Sequence, residues 1–357
     1  MNLSIKSLVI LSIFFNFTLA RAEIRHEANL AMLTRLEGRV KVFTHPSSSL
    51  KSQGPATKGA SHVLYEGEYY LTRDAKVGDH IENGNILQTL PGAKAKLVYP
   101  NGDQFYVGSA SSYRVFFKDN SDDSQTRVNL MYGKLRGIIE KAGPRQKLFI
   151  KTKSAVMGVR GTDFFIAQGG ADESTEVSIL RGSVEVTPRP IEKPSNKSSQ
   201  NFEIPSSKGG LKPIEVKAGF SADIGKTLDI ASSKAPTLEL RKTTKEEFAG
   251  IQKTSTVSAT PLTRTLSTKT EMQEKIDLLE KKAVVVTLND IQRHDGALFK
   301  QMQALHLNSA DDLNNAAMQD LVKTAPKAAP KSERKPFKSE LDDAQTGNYE
   351  KYFKEIL

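Results

Sequence analysis

The stretch KSAVMGVRGTDFFIAQ, residues 153–168, sets two alternating apolar runs on either side of a glycine-bracketed arginine. Ala155 to Met157 and Phe164 to Ala167 predict two strands, with Gly158-Val159-Arg160-Gly161-Thr162-Asp163 as the bend between them. Such a bend is either an interaction site or only a bend. Gly158 and Gly161 suit backbone conformations that a β-carbon disfavours. Arg160 then either folds back on Asp163, fixing the turn, or presents its planar fork to a carboxylate or phosphate on a partner.

The pattern continues in both directions. From about residue 30 to 225, short runs of Val, Ile, Leu, Phe and Tyr alternate with polar residues and are cut by Gly, Pro, Asn and Asp. Runs such as AMLTRLEGRVKVFT (31–44), AKAKLVYP (93–100), DQFYVG (103–108), TRVNLMYGKLRGII (126–139) and TEVSILRGSVEVT (175–187) predict strands, and PNGD at 100–103 predicts a hairpin. No helical period falls between them, so the fold class is all-β, an antiparallel sandwich or roll. Residues 46–61 and 188–212 are rich in Ser, Pro, Lys and Gly and predict inserted surface loops. EGRVKV and RGSVEV share the form Gly-x-Val-x-Val, which predicts that Val40, Val42, Val184 and Val186 are buried on one face. Tyr99, Phe105, Tyr106, Tyr113, Phe116 and Phe117 read mostly as core, with an exposed subset able to stack on sugar rings. Phe105 and Tyr106 are strand neighbours, so they must face opposite ways.

Beyond residue 226 the composition changes to Lys, Thr, Ala, Gln and Glu. In TKTEMQEKIDLLEKKA (268–283), Met272, Ile276 and Leu279 fall on one helical face. Residues 296–306, 309–323 and 347–357 are further helical candidates, and KTAPKAAPKSERKPFK (323–338) predicts an extended basic linker. These helices are marginal alone and would pack on the β domain or on a partner.

The first residues read as an export signal: Lys6, the apolar run SLVILSIFFNFTL, then Ala20-Arg21-Ala22 as the cleavage site. The expected arrangement is a signal peptide at 1–22, a β domain at 23–225 and a helical, partly disordered, low-complexity basic tail at 226–357, in a periplasmic protein with no membrane span after cleavage. The chain has no cysteine, which excludes thiol catalysis and thiolate metal sites. His26, His45, His62, His80, His294 and His306 show no metal-ligand spacing. The net charge of +10 falls to +8 without Lys6 and Arg21. A basic exported protein meets anionic envelope components, and the signal argues against nucleic acid.

Taken in order, LEGRVKV (36–42), VGDHIENGNILQTL (77–90), AKLVYPNGDQFYVGSAS (95–111), LMYGKLRG (130–137), FIKTKSAVMGVRGTDFFI (149–166), VSILRGSVEV (177–186) and VKAGFSA (216–222) resemble a FecR-type periplasmic domain. The resemblance covers roughly 31–225, and Gly158, Arg160, Gly161, Thr162, Asp163 and Phe164 are its sharpest part. It implies an all-β interaction domain without catalysis. In the family's founding member that domain relays a transporter's occupancy through a membrane helix to a sigma factor. The chain departs from that plan in showing no such helix, so it is not expected to carry a signal across the membrane alone.

Enzymatic motifs are missing: there is no Gly-x-Ser-x-Gly elbow and no phosphate-cradling loop. Asp122-Asp123 and Asp311-Asp312 read as caps or solvated pairs. The expectation is therefore a non-enzymatic binding or scaffold protein with no cofactor, directed at an envelope protein. Peptidoglycan or another anionic wall polymer is the alternative ligand, and a part in envelope signalling the third reading.

Overall fold

The computed structural model describes residues 30–47, 61–65, 68–118, 125–141, 147–169, 173–189, 213–225, 238–258, 266–305, 307 and 309–328. The signal segment, most of both loops, Asp122-Asp123, most of the basic linker and the candidate helix at 347–357 lie outside the described residues.

Period-two patterning builds two sheets face to face. Sheet I runs in space β5 (His80–Ile81), β1 (Ala31–Glu37), β7 (Lys94–Val98), β8 (Gln104–Val107), the second half of β10 (Gln125–Ile138), β13 (Asp163–Gln168), β14 (Thr175–Arg181), β17 (Phe220–Ile224) and β18 (Leu238–Lys242), all antiparallel. Sheet II runs β3 (Ser61–Tyr65), β4 (Glu68–Asp74), β2 (Val40–Ser47), β6 (Ile86–Thr89), β9 (Ser111–Lys118), the first half of β10, β11 (Lys147–Lys151), β12 (Ala155–Val159), β15 (Ser183–Pro188) and β16 (Ile214–Lys217). β10 belongs to both sheets, changing partners near Gly133, and its pairing with β11 is parallel. PNGD forms the β7–β8 hairpin as its residues predict. β3, β4 and β18 carry no clear sequence signal, and β18 extends sheet I past residue 225.

The inward faces share one core that includes Leu33, Leu97, Phe105, Tyr113, Phe164 and Ile166. Val40, Val42, Val184 and Val186 all lie in it, although β2 and β15 are not neighbours. Their shared motif marks a different feature. Gly38 (φ +71°) and Gly182 (φ +80°) are corners where the chain leaves sheet I for sheet II, and the valines follow each corner. Both corners adopt the left-handed backbone that glycine tolerates best.

Four described helices cover the outward face of sheet I: α1 (Lys245–Ser255), α2 (Leu266–His294), α3 (Gly296–Ala304) and α4 (Ala310–Thr324). α1 starts at a capping box in which Glu247 N donates to Thr244 Oγ1 and Thr244 N donates to Glu247 Oε2. Met272, Ile276 and Leu279 lie together as their spacing predicts, packed on Met32, Val77 and Val98. Phe248, Ile251 and Met318 pack on Phe165 and Leu180, and Val257 and Val286 on Tyr106 and Ile138. The helical segment is therefore a third layer of the fold. It also explains why both Phe105 and Tyr106 are buried although they face opposite ways: one enters the sandwich and the other lies under the helices. Of the other aromatics, Tyr99 and Tyr113 are buried.

Candidate interaction site

The outward face of sheet I carries charged residues where alternation would allow a solvated surface, but helices lie over it. Three ion-pair groups join the two layers. Lys96, fully buried, donates to Glu280 Oε2 (2.6 Å) and lies 3.2 Å from Asp311 Oδ1. Arg35 Nη2 (2.8 Å) and the Tyr106 hydroxyl (2.7 Å) meet the same aspartate. Burial raises the Asp311 pKa, but Lys96 and Arg35 outweigh it and leave it below the usual value. Asp311 thus differs from its sequence reading as a cap or solvated acid. Ser309 is the cap of α4, its Oγ accepting from the N–H of Asp312 (3.1 Å), while Asp311 faces the sheet.

The second group centres on Asp163. Arg136 grips it with two hydrogen bonds, Nε to Oδ1 (2.9 Å) and Nη2 to Oδ2 (2.8 Å), and Arg181 Nη2 lies 2.6 Å from Oδ2. Arg181 Nε donates to Asp290 of α2, which in turn lies 3.2 Å from His294 Nδ1. Asp163 is thus paired by arginines of β10 and β14. Arg160 does not fold back on it: Arg160 is exposed at the bend.

The bend is also not a hairpin. β12 pairs with β11 and β15 in sheet II, and β13 with β10 and β14 in sheet I, so Arg160–Thr162 turns the chain from one sheet to the other. Thr162 Oγ1 donates to Ser183 O (3.0 Å), tying this corner to the Gly182 corner. Thr162, Asp163 and Phe164 are buried. The two glycines differ. Gly161 has φ +63°, and a Cβ there would come 2.4 Å from Lys141 Cβ. Gly158 has no positive φ and its nearest neighbour would be 3.8 Å away, so the sequence expectation holds for Gly161 alone. Gly161→Ala is expected to cost about 1–3 kcal/mol, while Gly158→Ala stays within about 1 kcal/mol. Urea unfolding of the two variants checks this contrast.

The third group has one guanidinium among three carboxylates: Arg241 bonds to Glu176 (2.8 Å), Asp223 (2.7 Å) and Glu247 (2.7 Å). Burial and the nearby Asp223 raise the Glu176 pKa to about 7, against the pull of Arg241. An acid whose pKa rises on folding holds its proton more tightly in the folded state. Stability should therefore fall as pH climbs from the ordinary value of 4.5 to about 7. His294, raised by its hydrogen bond to Asp290, adds stability while protonated and loses it as pH rises through its folded pKa. Glu176→Gln should remove the part of the slope below pH 7 and leave the histidine part, read from thermal midpoints across pH.

Beside the Arg160 corner the two layers leave a cleft of about 580 Å³. Lys141, Arg160, Arg181, Ser183 and Lys217 line it from the sheets, and His294, Asp295, Leu298, Asp320 and Leu321 from the helices. The sequence signals Arg160 through its motif. It gives no sign that Lys141, Arg181 and His294 join it, since the four are far apart in the chain and no local spacing links them.

These observations meet those from known proteins. Residues 85–185, from the start of the β6 region into β15, match the family described as FecR protein. The stretches at 36–42 and 216–222 lie outside that match but within the same sandwich. No curated protein matches the chain. Two crystal structures, at 1.65 and 2.50 Å, of a candidate anti-sigma factor from Parabacteroides distasonis ATCC 8503 are similar to it, each at 13% identity and a TM-score of 0.31. Each match covers 44% of this chain and 59% of that chain, and a likeness at this level carries no functional argument.

Among the described residues no helix is long and apolar enough to cross a membrane, and no group of three or more His, Asp or Glu could hold a metal ion.

Proposed function

We propose that the protein is a non-catalytic binding protein of the cell envelope, exported to the periplasm, which recognises an envelope protein through the corner side of its FecR domain. One observation carries the reading: Arg160, the sole exposed residue among the six that mark the motif's centre, stands at the mouth of a mixed-charge cleft. The FecR domain supports envelope signalling as its setting.

A sugar-stacking surface has less support, because Phe220 is the one aromatic among the exposed large apolar residues described. Wall binding would then rest on charge, and co-sedimentation with peptidoglycan would weaken as salt rises. The test is a photo-cross-linking amino acid placed at Arg160 or Lys217, with exposed Leu64 on β3 as the control. Envelope proteins captured from 160 and 217, and not from 64, support the reading. Equal capture from all three, or salt-sensitive pelleting with peptidoglycan alone, overturns it.

A further inference from the structure

The cleft holds two cations that its own acids do not pair. The side chains of Lys141 and Arg160 make no hydrogen bond or ion pair with any described residue. Arg181 is 5% exposed, yet its Nη1 has no hydrogen-bond partner. Its charge is met by Asp163 and Asp290 instead, so Arg181 forms the floor of the cleft. His294 is anchored through Nδ1 on the Asp290 carbonyl (2.9 Å). Its Nε2 faces the Gly182 corner, 3.3 Å from where a Cβ on Gly182 would lie.

The acids around the cleft are partly engaged. Asp295 accepts from the N–H groups of Ala297 (3.1 Å) and Leu298 (2.9 Å) at the start of α3. Glu215 lies 3.8 Å from Lys217. Leu180, Leu298 and Leu321 supply an apolar wall next to the cations.

We propose that this cleft holds a peptide segment by a single carboxylate, gripped by Arg160 and Lys141 beside the His294 ring, while a neighbouring apolar side chain packs on Leu180, Leu298 and Leu321. This rests on the protein-binding reading above and names the chemistry of the contact. Glu215, Asp295 and Asp320 on the rim repel a dianion such as phosphate and tolerate a carboxylate set within a peptide. The volume is that of an ordinary small-ligand site, so a few residues fill it. Because sheet and helices both contribute, occupation also clamps the helical layer to the FecR domain.

The carboxylate has two sources, a Glu or Asp side chain or a chain terminus, and the probes separate them. The full chain from residue 23, labelled with ¹⁵N-glycine, reports at Gly161 and Gly182, one on each of the stacked corners. Acetyl-leucyl-glutamate amide tests the side-chain source and N-acetyl-leucine the terminal one. Their glutamine and leucinamide counterparts, and inorganic phosphate, are the comparisons.

Saturable shifts of both glycine signals by at least one carboxylate probe are expected, with affinity reduced about tenfold or more in the amide counterparts and in Arg160→Ala. Arg160 is exposed, so the rest of the variant's spectrum should be unchanged. No shift from either carboxylate probe, or binding as tight by phosphate or by the amides, overturns the proposal. If the probes fail while cross-linking from 160 persists, the carboxylate chemistry falls and protein binding stands. Binding of the probes without cross-linking leaves the cleft assignment and removes the broader function.

Discussion

Asp163→Ala is expected to lower the unfolding free energy by about 3–5 kcal/mol, the range for breaking a buried ion pair by removing one partner. The aspartate is fully buried and pairs with two guanidinium groups that are 3% and 5% exposed. Arg136 loses both hydrogen bonds to it, keeping Nη1 on Ser255 Oγ (3.0 Å), and Arg181 is left with Asp290. Neither arginine can swing into water, since α1 and α2 lie over them. Asp163→Asn keeps the volume but removes the charge, so most of the loss should remain. Arg160→Ala, three residues away and exposed, is expected within about 0.5 kcal/mol of the parent. Urea unfolding of the three variants measures the contrast. A loss below about 1 kcal/mol for Asp163→Ala would mean that water reaches the arginines and that the network is not dry.

Ending the chain after Thr243 is expected to leave a sandwich that does not fold as a monomer. The charges of sheet I would lose little, since Lys96, Arg136 and Arg181 would regain water. The apolar residues between them decide the outcome. Met32, Val98, Tyr106, Ile138, Phe165 and Leu180 are buried against the helices, and at about 1.5–3 kcal/mol for each large apolar side chain their exposure costs on the order of 10 kcal/mol. That is comparable to the whole stability of a typical domain, about 5–15 kcal/mol. The uncovered face would also be a broad apolar patch, prone to self-association. Size-exclusion chromatography with light scattering, and circular dichroism, provide the test. A monomeric fragment with native strand content and a cooperative melt would show the helical layer to be an accessory to the fold.

The two cases separate what is local in this chain from what is not. Inward positions such as Val40, Val42, Val184 and Val186 were legible because a strand alternates its faces every residue, and the alternation is written in consecutive letters. The helical face of Met272, Ile276 and Leu279 was legible for the same reason at a longer period. α1 was missed, although Thr244 and Glu247 have the spacing of a capping box. β18 was missed because LELRK alternates weakly, and its place depends on the free edge of β17.

By itself, then, the sequence determined most of the strands, the valines of the inter-sheet core, the bend at Gly161 and the resemblance to the FecR domain. Only the tertiary structure decided what the polar half of each strand does. An alternating charge reads the same whether it meets water or a helix, and Lys96 meets Glu280 at 184 residues' separation. Asp163 likewise could have taken Arg160, its neighbour in sequence. Sheet pairing instead placed Arg136 and Arg181 on the adjacent strands, because register between strands, and not distance along the chain, determines which charges share a face.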